Sequence, residues 1–272
     1  MGYPKIVHTE EGMREGLQIE SAKIPVDDKI RLLDALSDTG LKEIAVGSFV
    51  SPKYTPQMAV MEELVTRFTP RPGVRYVYTA LNDKGRERAR AYSPPLTKKA
   101  LEYATRVDMC DVFAQRNSNR TQAKERARWP QQIEKAHAKK ATGGISVACA
   151  FGSNWVGEFS LEQRMSIIDE MYRTWESFGI PVTRISFADA MSWAMPHQIA
   201  QQIVAIKQRW PSINDFNLHL HNGRGMALTS VYAAIQVMDA TDTLRLQSSI
   251  GGMAGCPYCG NGRAAMMIAT ED

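Results

Sequence analysis

Long apolar runs, cysteines and stretches of biased composition are all scarce in this chain of 272 residues, and each scarcity removes a class of protein. No apolar run approaches the ~20 residues that a membrane-crossing helix needs. The opening stretch Met1-Gly2-Tyr3-Pro4-Lys5-Ile6-Val7 lacks a charged segment followed by an apolar one, which argues against a secretory signal. Gly2 with Pro4 and Thr9 makes no convincing myristoylation signal. Four cysteines, at 110, 149, 256 and 259, fit a reducing compartment better than a disulfide framework, so a cytoplasmic location is expected. Linkers and low-complexity segments are missing, so a single domain over 1–272 is expected. A net charge of +4 is mild, and no aromatics interleave with the basic residues in a stacking pattern, which argues against nucleic acid.

What is present is a regular alternation. Short β-like runs fall at 5–9, 43–46, 74–80, 106–113, 144–151, 182–187, 215–221 and 243–249. Helical patterns lie between them at 26–39, 57–68, 84–93, 120–140, 161–178, 196–210 and 226–238. The clearest helix opens on Ser160 and Gln163, a capping box, and ends at Gly179. Strands alternating with helices in this number predict an α/β fold, a (β/α)8 TIM barrel, with a doubly wound sheet as the alternative. A Gly-rich loop over 251–262 follows the last strand, and Ala269-Thr270-Glu271-Asp272 stands where an eighth helix is expected to begin. The last helix or a C-terminal segment is therefore expected to be lacking. Within 116–140, Arg116, Arg120, Lys124, Arg126, Arg128, Lys135, Lys139 and Lys140 form a basic run. It reads as a solvated helix face, part of which is a candidate contact for an anionic substrate tail.

Asp215-Phe216-Asn217-Leu218-His219-Leu220-His221 carries the chemistry. Its strict alternation turns Phe216, Leu218 and Leu220 to one face and Asn217, His219 and His221 to the other. Two imidazoles at i and i+2, beside the turn Asn222-Gly223-Arg224-Gly225, read as half a metal site, with two polar-face histidines as the alternative. In a barrel, catalytic residues project from the C-terminal ends of strands. That rule gathers Met13-Arg14-Glu15-Gly16-Leu17-Gln18, Asp189, the two histidines, Cys256, Cys259 and Asn261. A carboxylate, two imidazoles and an amide oxygen suit a divalent ion, with magnesium or manganese favoured and zinc or cobalt open. The Cys256-x-x-Cys259 spacing also permits a zinc half-site or redox pair, though no second cysteine pair accompanies it.

Several motifs carry a family resemblance: Glu11-Gly12-Met13-Arg14-Glu15-Gly16-Leu17-Gln18, Ser48-Phe49-Val50-Ser51-Pro52-Lys53, Pro56-Gln57-Met58, His219-x-His221 and Gly255-Cys256-Pro257-Tyr258. Together they resemble 3-hydroxy-3-methylglutaryl-CoA lyase and the wider metal-dependent TIM-barrel lyases and Claisen synthases. The resemblance implies metal ligation by Glu15, His219, His221 and Asn261. Arg14 would hold an enolate oxygen, Asp189 and His219 would help remove a hydroxyl proton, and Cys256 would return a proton to carbon. Gln18, Ser48 and Arg224 would bind substrate, an acyl-CoA or hydroxy acid, in a homo-oligomer. The implied activity is cleavage of a 3-hydroxyacyl-CoA. A Claisen-type synthase or aldolase, or an inactive binding relative, are the alternatives. This chain departs from the lyase pattern at Ala45, at Asn222-Gly223-Arg224-Gly225 and at Phe151-Gly152-Ser153-Asn154-Trp155. Loss of a carboxylate at 45 and gain of a cation at 224 suggest a changed pocket charge and a substrate with another carboxylate for Arg224 to grip.

Overall fold

The computed structural model describes residues 2–80, 83–98, 103–256 and 266–272. Contacts divide the chain into two compact units. The smaller comprises His8–Ala100, Gln247–Gly255 and Met266–Asp272, and the larger Met1–Val7, Leu101–Leu246 and Cys256–Ala265.

In the smaller unit the chain runs through β1 (Lys5–Glu10, which the unit boundary cuts), α1 (Val26–Ser37), β2 (Glu43–Ser48), α2 (Met61–Arg67), β3 (Arg75–Thr79), α3 (Asp83–Arg90) and β4 (Leu96–Lys98). The strands lie in the order β4-β3-β2-β1, with parallel pairing throughout. Every residue of β2 is buried, as expected of a parallel strand covered on both faces. Leu33 and Leu36 of α1 pack with Ile44, Val46, Met61 and Leu64, while Phe68 meets Tyr76 edge-on at 4.8 Å. α1 follows Pro25, carries Asp27 and Asp28 in its first turn, and is followed by Gly40 at φ +89°.

The larger unit contains β5 (Ala104–Asp108), α4 (Asp111–Ser118), α5 (Gln122–Arg126), α6 (Trp129–Ala138), β6 (Gly143–Ala148), the hairpin β7–β8 (Gly152–Ser153 and Gly157–Glu158) and α7 (Leu161–Glu176). It continues with β9 (Val182–Asp189), α8 (Pro196–Arg209), β10 (Asp215–Leu220), α9 (Ala227–Gln236) and β11 (Thr243–Ser248, which the unit boundary cuts after Leu246). Its strand order is β11-β10-β9-β6-β5, and the β5, β6, β9 and β10 pairings are parallel. The capping box of α7 is formed: Ser160 Oγ accepts from Gln163 N at 3.2 Å and Gln163 Oε1 accepts from Ser160 N at 2.7 Å. α7 buries Ile168, Met171 and Trp175, and the Trp175 indole N–H donates to Thr105 Oγ1 at 3.0 Å.

All eight expected strand positions hold a strand, and β4, β7 and β8 are additional short ones. Three expectations need correction. The fourth strand stops at Asp108 and is followed by α4, which buries Phe113 and Ala114. The long basic helix expected at 120–140 is two helices, α5 and α6: α4 ends just before it at Asn119, φ +54°, Thr121 caps α5 by accepting from Lys124 N, and α6 restarts with a proline in its first turn. Three of its arginines are committed to ion pairs: Arg120 and Arg128 with Glu125 at 2.9 and 3.3 Å, and Arg126 with Glu170 at 2.8 Å. The helix expected at 57–68 divides into a 3-10 turn, Pro56–Met58, and α2. Among the described residues no helix is long and apolar enough to cross a membrane, and after β11 there is a 3-10 turn, Ile250–Gly252, and no α-helix.

Candidate active site

β10 presents its two faces as its alternation requires. Phe216, Leu218 and Leu220 are buried, and the rings of His219 and His221 meet edge to face with centroids 5.2 Å apart. Parallel pairing sets Leu220 opposite Asp189, the last residue of β9, and the His221 amide donates to the Asp189 carbonyl at 3.3 Å. Asp189 is 1% exposed. Its Oδ1 accepts from Trp193 N at 2.9 Å and its Oδ2 from Ala194 N at 2.7 Å. Burial pushes this carboxyl up to about 6, against the pull of those amide donors and the charge of Arg224. The loops after β9 and β10 are tied together, since Ser192 Oγ accepts from Gly223 N at 2.8 Å. Beyond β6, Cys149 adopts φ +52° and its thiol donates to the Gly152 carbonyl at 3.3 Å. Burial raises that thiol far above the ordinary cysteine range, with the charges of Cys110, Asp189, Asp108 and Cys256 adding to the effect. Cys110, Cys149 and Cys256 are buried free thiols.

In the smaller unit the chain leaves β1 through a wide turn, Gly12–Gly16, closed by amides of Arg14, Glu15 and Gly16 that all point at the Glu11 carbonyl. Such i→i+5 turns recur at functional sites. Arg14 pairs with Glu15 and stands 3.6 Å from Glu11, and Gln18 follows exposed. Beneath the turn, Glu10 is fully buried and its carboxylate gathers three segments. Oε1 accepts from Gly12 N at 2.6 Å and from Ile250 N at 2.9 Å, while Oε2 accepts from the Thr270 hydroxyl. Burial raises the Glu10 carboxyl above its usual range, opposed by the donors Thr270, Ile250 and Gly12. From Thr270 the chain of contacts runs to Ser248 Oγ at 2.6 Å and on to His8 Nε2 at 2.5 Å. Gly12 has no space for a side chain: a Cβ would stand 2.6 Å from Glu10 Oε1. Ser48 is buried at the end of β2, and Ala45 lies buried within it.

Thus Asp189, His219, His221 and Arg224 share one unit with buried Cys256, and Arg14, Glu15, Gln18 and Ser48 share the other. Asn261 and Cys259 lie outside the described residues. Among the described residues no three histidine, cysteine, aspartate or glutamate side chains form a metal-holding group; the imidazole pair supplies two nitrogen donors on one strand face. Sequence reasoning missed Glu10, Thr270, Ser192 and Trp193. An adjacent acidic pair reads as solvated, and only the fold turns Glu10 inward.

Solved structures place the fold in the TIM-barrel class. A hydroxymethylglutaryl-CoA lyase from Pseudomonas aeruginosa is similar at TM-score 0.74 and 29% identity, over 100% of this chain and 85% of that one. An HMG-CoA lyase from Acinetobacter baumannii, in complex with coenzyme A and 3-methylmalate, matches at TM-score 0.73 and 31% identity, over 98% of this chain and 81% of that one. In sequence, the 3-hydroxy-3-isohexenylglutaryl-CoA/hydroxy-methylglutaryl-CoA lyase of P. aeruginosa is 34% identical across 100% of this chain and 85% of its own length. The mitochondrial hydroxymethylglutaryl-CoA lyase of Gallus gallus is 30% identical across 97% of this chain and 82% of its own. The HMGL-like family matches residues 4–256, and the chain belongs to that family.

Proposed function

We propose that this chain is a divalent-metal-dependent carbon–carbon lyase that cleaves hydroxymethylglutaryl-CoA, or a 3-hydroxyacyl-CoA of the same kind, by retro-aldol chemistry. The observation that carries the reading is the His219–His221 pair beside buried Asp189, in a chain whose full-length relatives are lyases of that substrate. Imidazoles on one strand face suit a divalent ion, and Glu15, His219, His221 and Asn261 would hold it. Oxygen donors joined to histidine favour magnesium or manganese, with zinc or cobalt as alternatives. Bound there, the ion would lower the pKa of the substrate hydroxyl and polarise its carbonyl.

The protein's own residues then have separate tasks. Asp189, with its carboxyl near 6, holds or releases a proton close to neutral pH and with His219 takes the proton of the 3-hydroxyl. The freed oxygen electrons form the carbonyl of a 3-oxo acid as the bond between C2 and C3 breaks, and the bonding pair passes to C2 of the thioester as an enolate. Arg14 stabilises the enolate oxygen, whose charge exists only after bond breaking begins. The Cys256 thiol protonates C2 and releases acetyl-CoA. Gln18, Ser48 and Arg224 contact the substrate. A cytoplasmic homo-oligomer completes the proposal, with light scattering as the check on assembly.

The test is incubation of the purified chain with hydroxymethylglutaryl-CoA and magnesium or manganese, following acetyl-CoA and the 3-oxo acid. We expect cleavage that chelation abolishes and that His221→Ala reduces by about 10–100-fold or more, the range for a disturbed metal shell. A folded, metal-loaded protein that cleaves no such thioester would overturn the reading. Condensation of acetyl-CoA with a 2-oxo acid would assign the synthase instead.

A further inference from the structure

Arg224 is a cation held by an aromatic ring rather than by an acid. Its guanidinium carbon lies 4.5 Å from the Trp193 ring centroid, and among the described residues no carboxylate stands within ion-pair distance of it. Other arginines of the same unit are committed: Arg184 and Arg245 to Asp215 at 2.6 and 2.8 Å, and Arg209 to Asp169 at 2.7 Å. The charge of Arg224 nonetheless reaches Asp189, whose carboxyl it pulls down.

The ring beneath it is fixed. The Trp193 indole N–H donates to Asn154 Oδ1 at 3.0 Å, and its backbone N–H donates to Asp189 Oδ1 at 2.9 Å. The indole also lies so close to Gly152 that a Cβ there would stand 2.6 Å from the ring. The hairpin bearing Gly152 and Asn154 is itself anchored. Buried Arg164 donates to the Phe159 carbonyl at 2.6 Å, and Gln198 donates to Glu158 at 2.6 Å. The loop bearing Arg224 is held on its other side by Ser192 and by Asn222, whose Oδ1 accepts from Ala227 N at 3.0 Å. A guanidinium can stack one face on an indole and still present its N–H edge to a planar oxyanion.

We propose that Arg224 receives the free carboxylate of the substrate and that Trp193, fixed by Asn154 and Gly152, is the shelf that positions it. The substrate class this selects is a 3-hydroxyacyl thioester with a carboxymethyl arm on C3, in preference to one whose arm ends in a neutral group. This inference rests on the lyase reading and names the recognition element within the same site. Hydrogen bonds between guanidinium and carboxylate are charge-assisted and directional, which makes Arg224 a specificity residue and Trp193 a positioning residue.

The experiment compares hydroxymethylglutaryl-CoA with the methyl ester of its free carboxylate, using wild type, Arg224→Gln, Arg224→Lys and Trp193→Phe. Arg224 is exposed on a loop, so the Gln variant is expected to fold, with near-ultraviolet circular dichroism as the control. For the free acid, Arg224→Gln should raise KM by about 10–100-fold, the range for charge-assisted hydrogen bonds, with a smaller change in kcat. The ester's kcat/KM should fall far less than the acid's, through the loss of the Arg224 charge near Asp189 alone, so the preference for acid over ester collapses. Arg224→Lys should restore part of that preference. Trp193→Phe keeps a ring but loses the Asn154 bond, and should reduce the preference by a few-fold. Equal losses on acid and ester, or no loss on either, would overturn the proposal. Absence of cleavage of both substrates by wild type would instead strike the lyase reading itself.

Discussion

Replacing Glu10 tests whether one buried carboxylate organises the turn that bears Arg14 and Glu15. Glu10→Ala removes the acceptor of the Gly12 amide, the Ile250 amide and the Thr270 hydroxyl at once. The hydroxyl can turn to Ser248 Oγ, 2.6 Å away, so it keeps a partner. Neither backbone amide has a second acceptor among the described residues, and a buried unsatisfied donor costs about 1–3 kcal/mol. Removing a carboxylate that burial already disfavours returns part of that loss. The net destabilisation is then about 2–4 kcal/mol. In a chain of this length each kcal/mol lowers the melting temperature by roughly 2–4 °C, so the expected shift is about 4–16 °C. Glu10→Gln keeps one acceptor oxygen for the amides and should cost only about 1 kcal/mol. Far-ultraviolet circular dichroism melts supply the measurement, with kcat beside them, because a released Gly12 amide loosens the turn under Arg14. If Glu10→Ala melts within a degree of both wild type and Glu10→Gln, the carboxylate does not tie these segments and the reasoning is refuted.

Two further outcomes are expected. Because the Glu10 carboxyl is raised in the fold, its titration contributes stability that is fully present below the ordinary value of 4.5 and is lost as pH rises through the folded value. The stability of wild type relative to Glu10→Gln should therefore decline over that window in urea titrations, and a rise would contradict the burial argument. Gly47 stands at φ +146° with Met61 Sδ 2.4 Å from where a Cβ would be. Gly47→Ala should destabilise by about 1–3 kcal/mol from overpacking alone, and an unchanged melting temperature would show that Met61 yields freely.

Much of this architecture is written locally. Ser160 and Gln163 announce the start of α7, and the alternation through Asp215 to His221 sets which face the imidazoles take. Parallel strands such as β2 are legible because burial on both faces leaves an apolar run, though Glu43 at its start depends on Thr9 as donor, at 2.6 Å. What escaped was non-local. The basic helix breaks at Ala127 and Arg128, before the proline that opens α6, and its arginines are held by acids on other segments, such as Glu170 facing Arg126. Burial of Glu10 depends on a hydroxyl 260 residues away in sequence. The shelf under Arg224 depends on a hairpin whose strands are only two residues long, too short for any periodicity to reveal.

The division of the chain into two units has an optical consequence. Trp129, Trp155, Trp175, Trp193 and Trp210 all fall between Leu101 and Leu246, so every indole belongs to the larger unit. The smaller unit reports through tyrosines, Tyr76 and Tyr78 being buried among them. Indole emission therefore follows the histidine-bearing unit alone, with Trp175 fully enclosed as its sensor. Tyrosine and backbone signals include the unit built on Glu10. Melts that coincide by both probes mark one cooperative body, whereas a lag between them reads out the order in which the two units unfold.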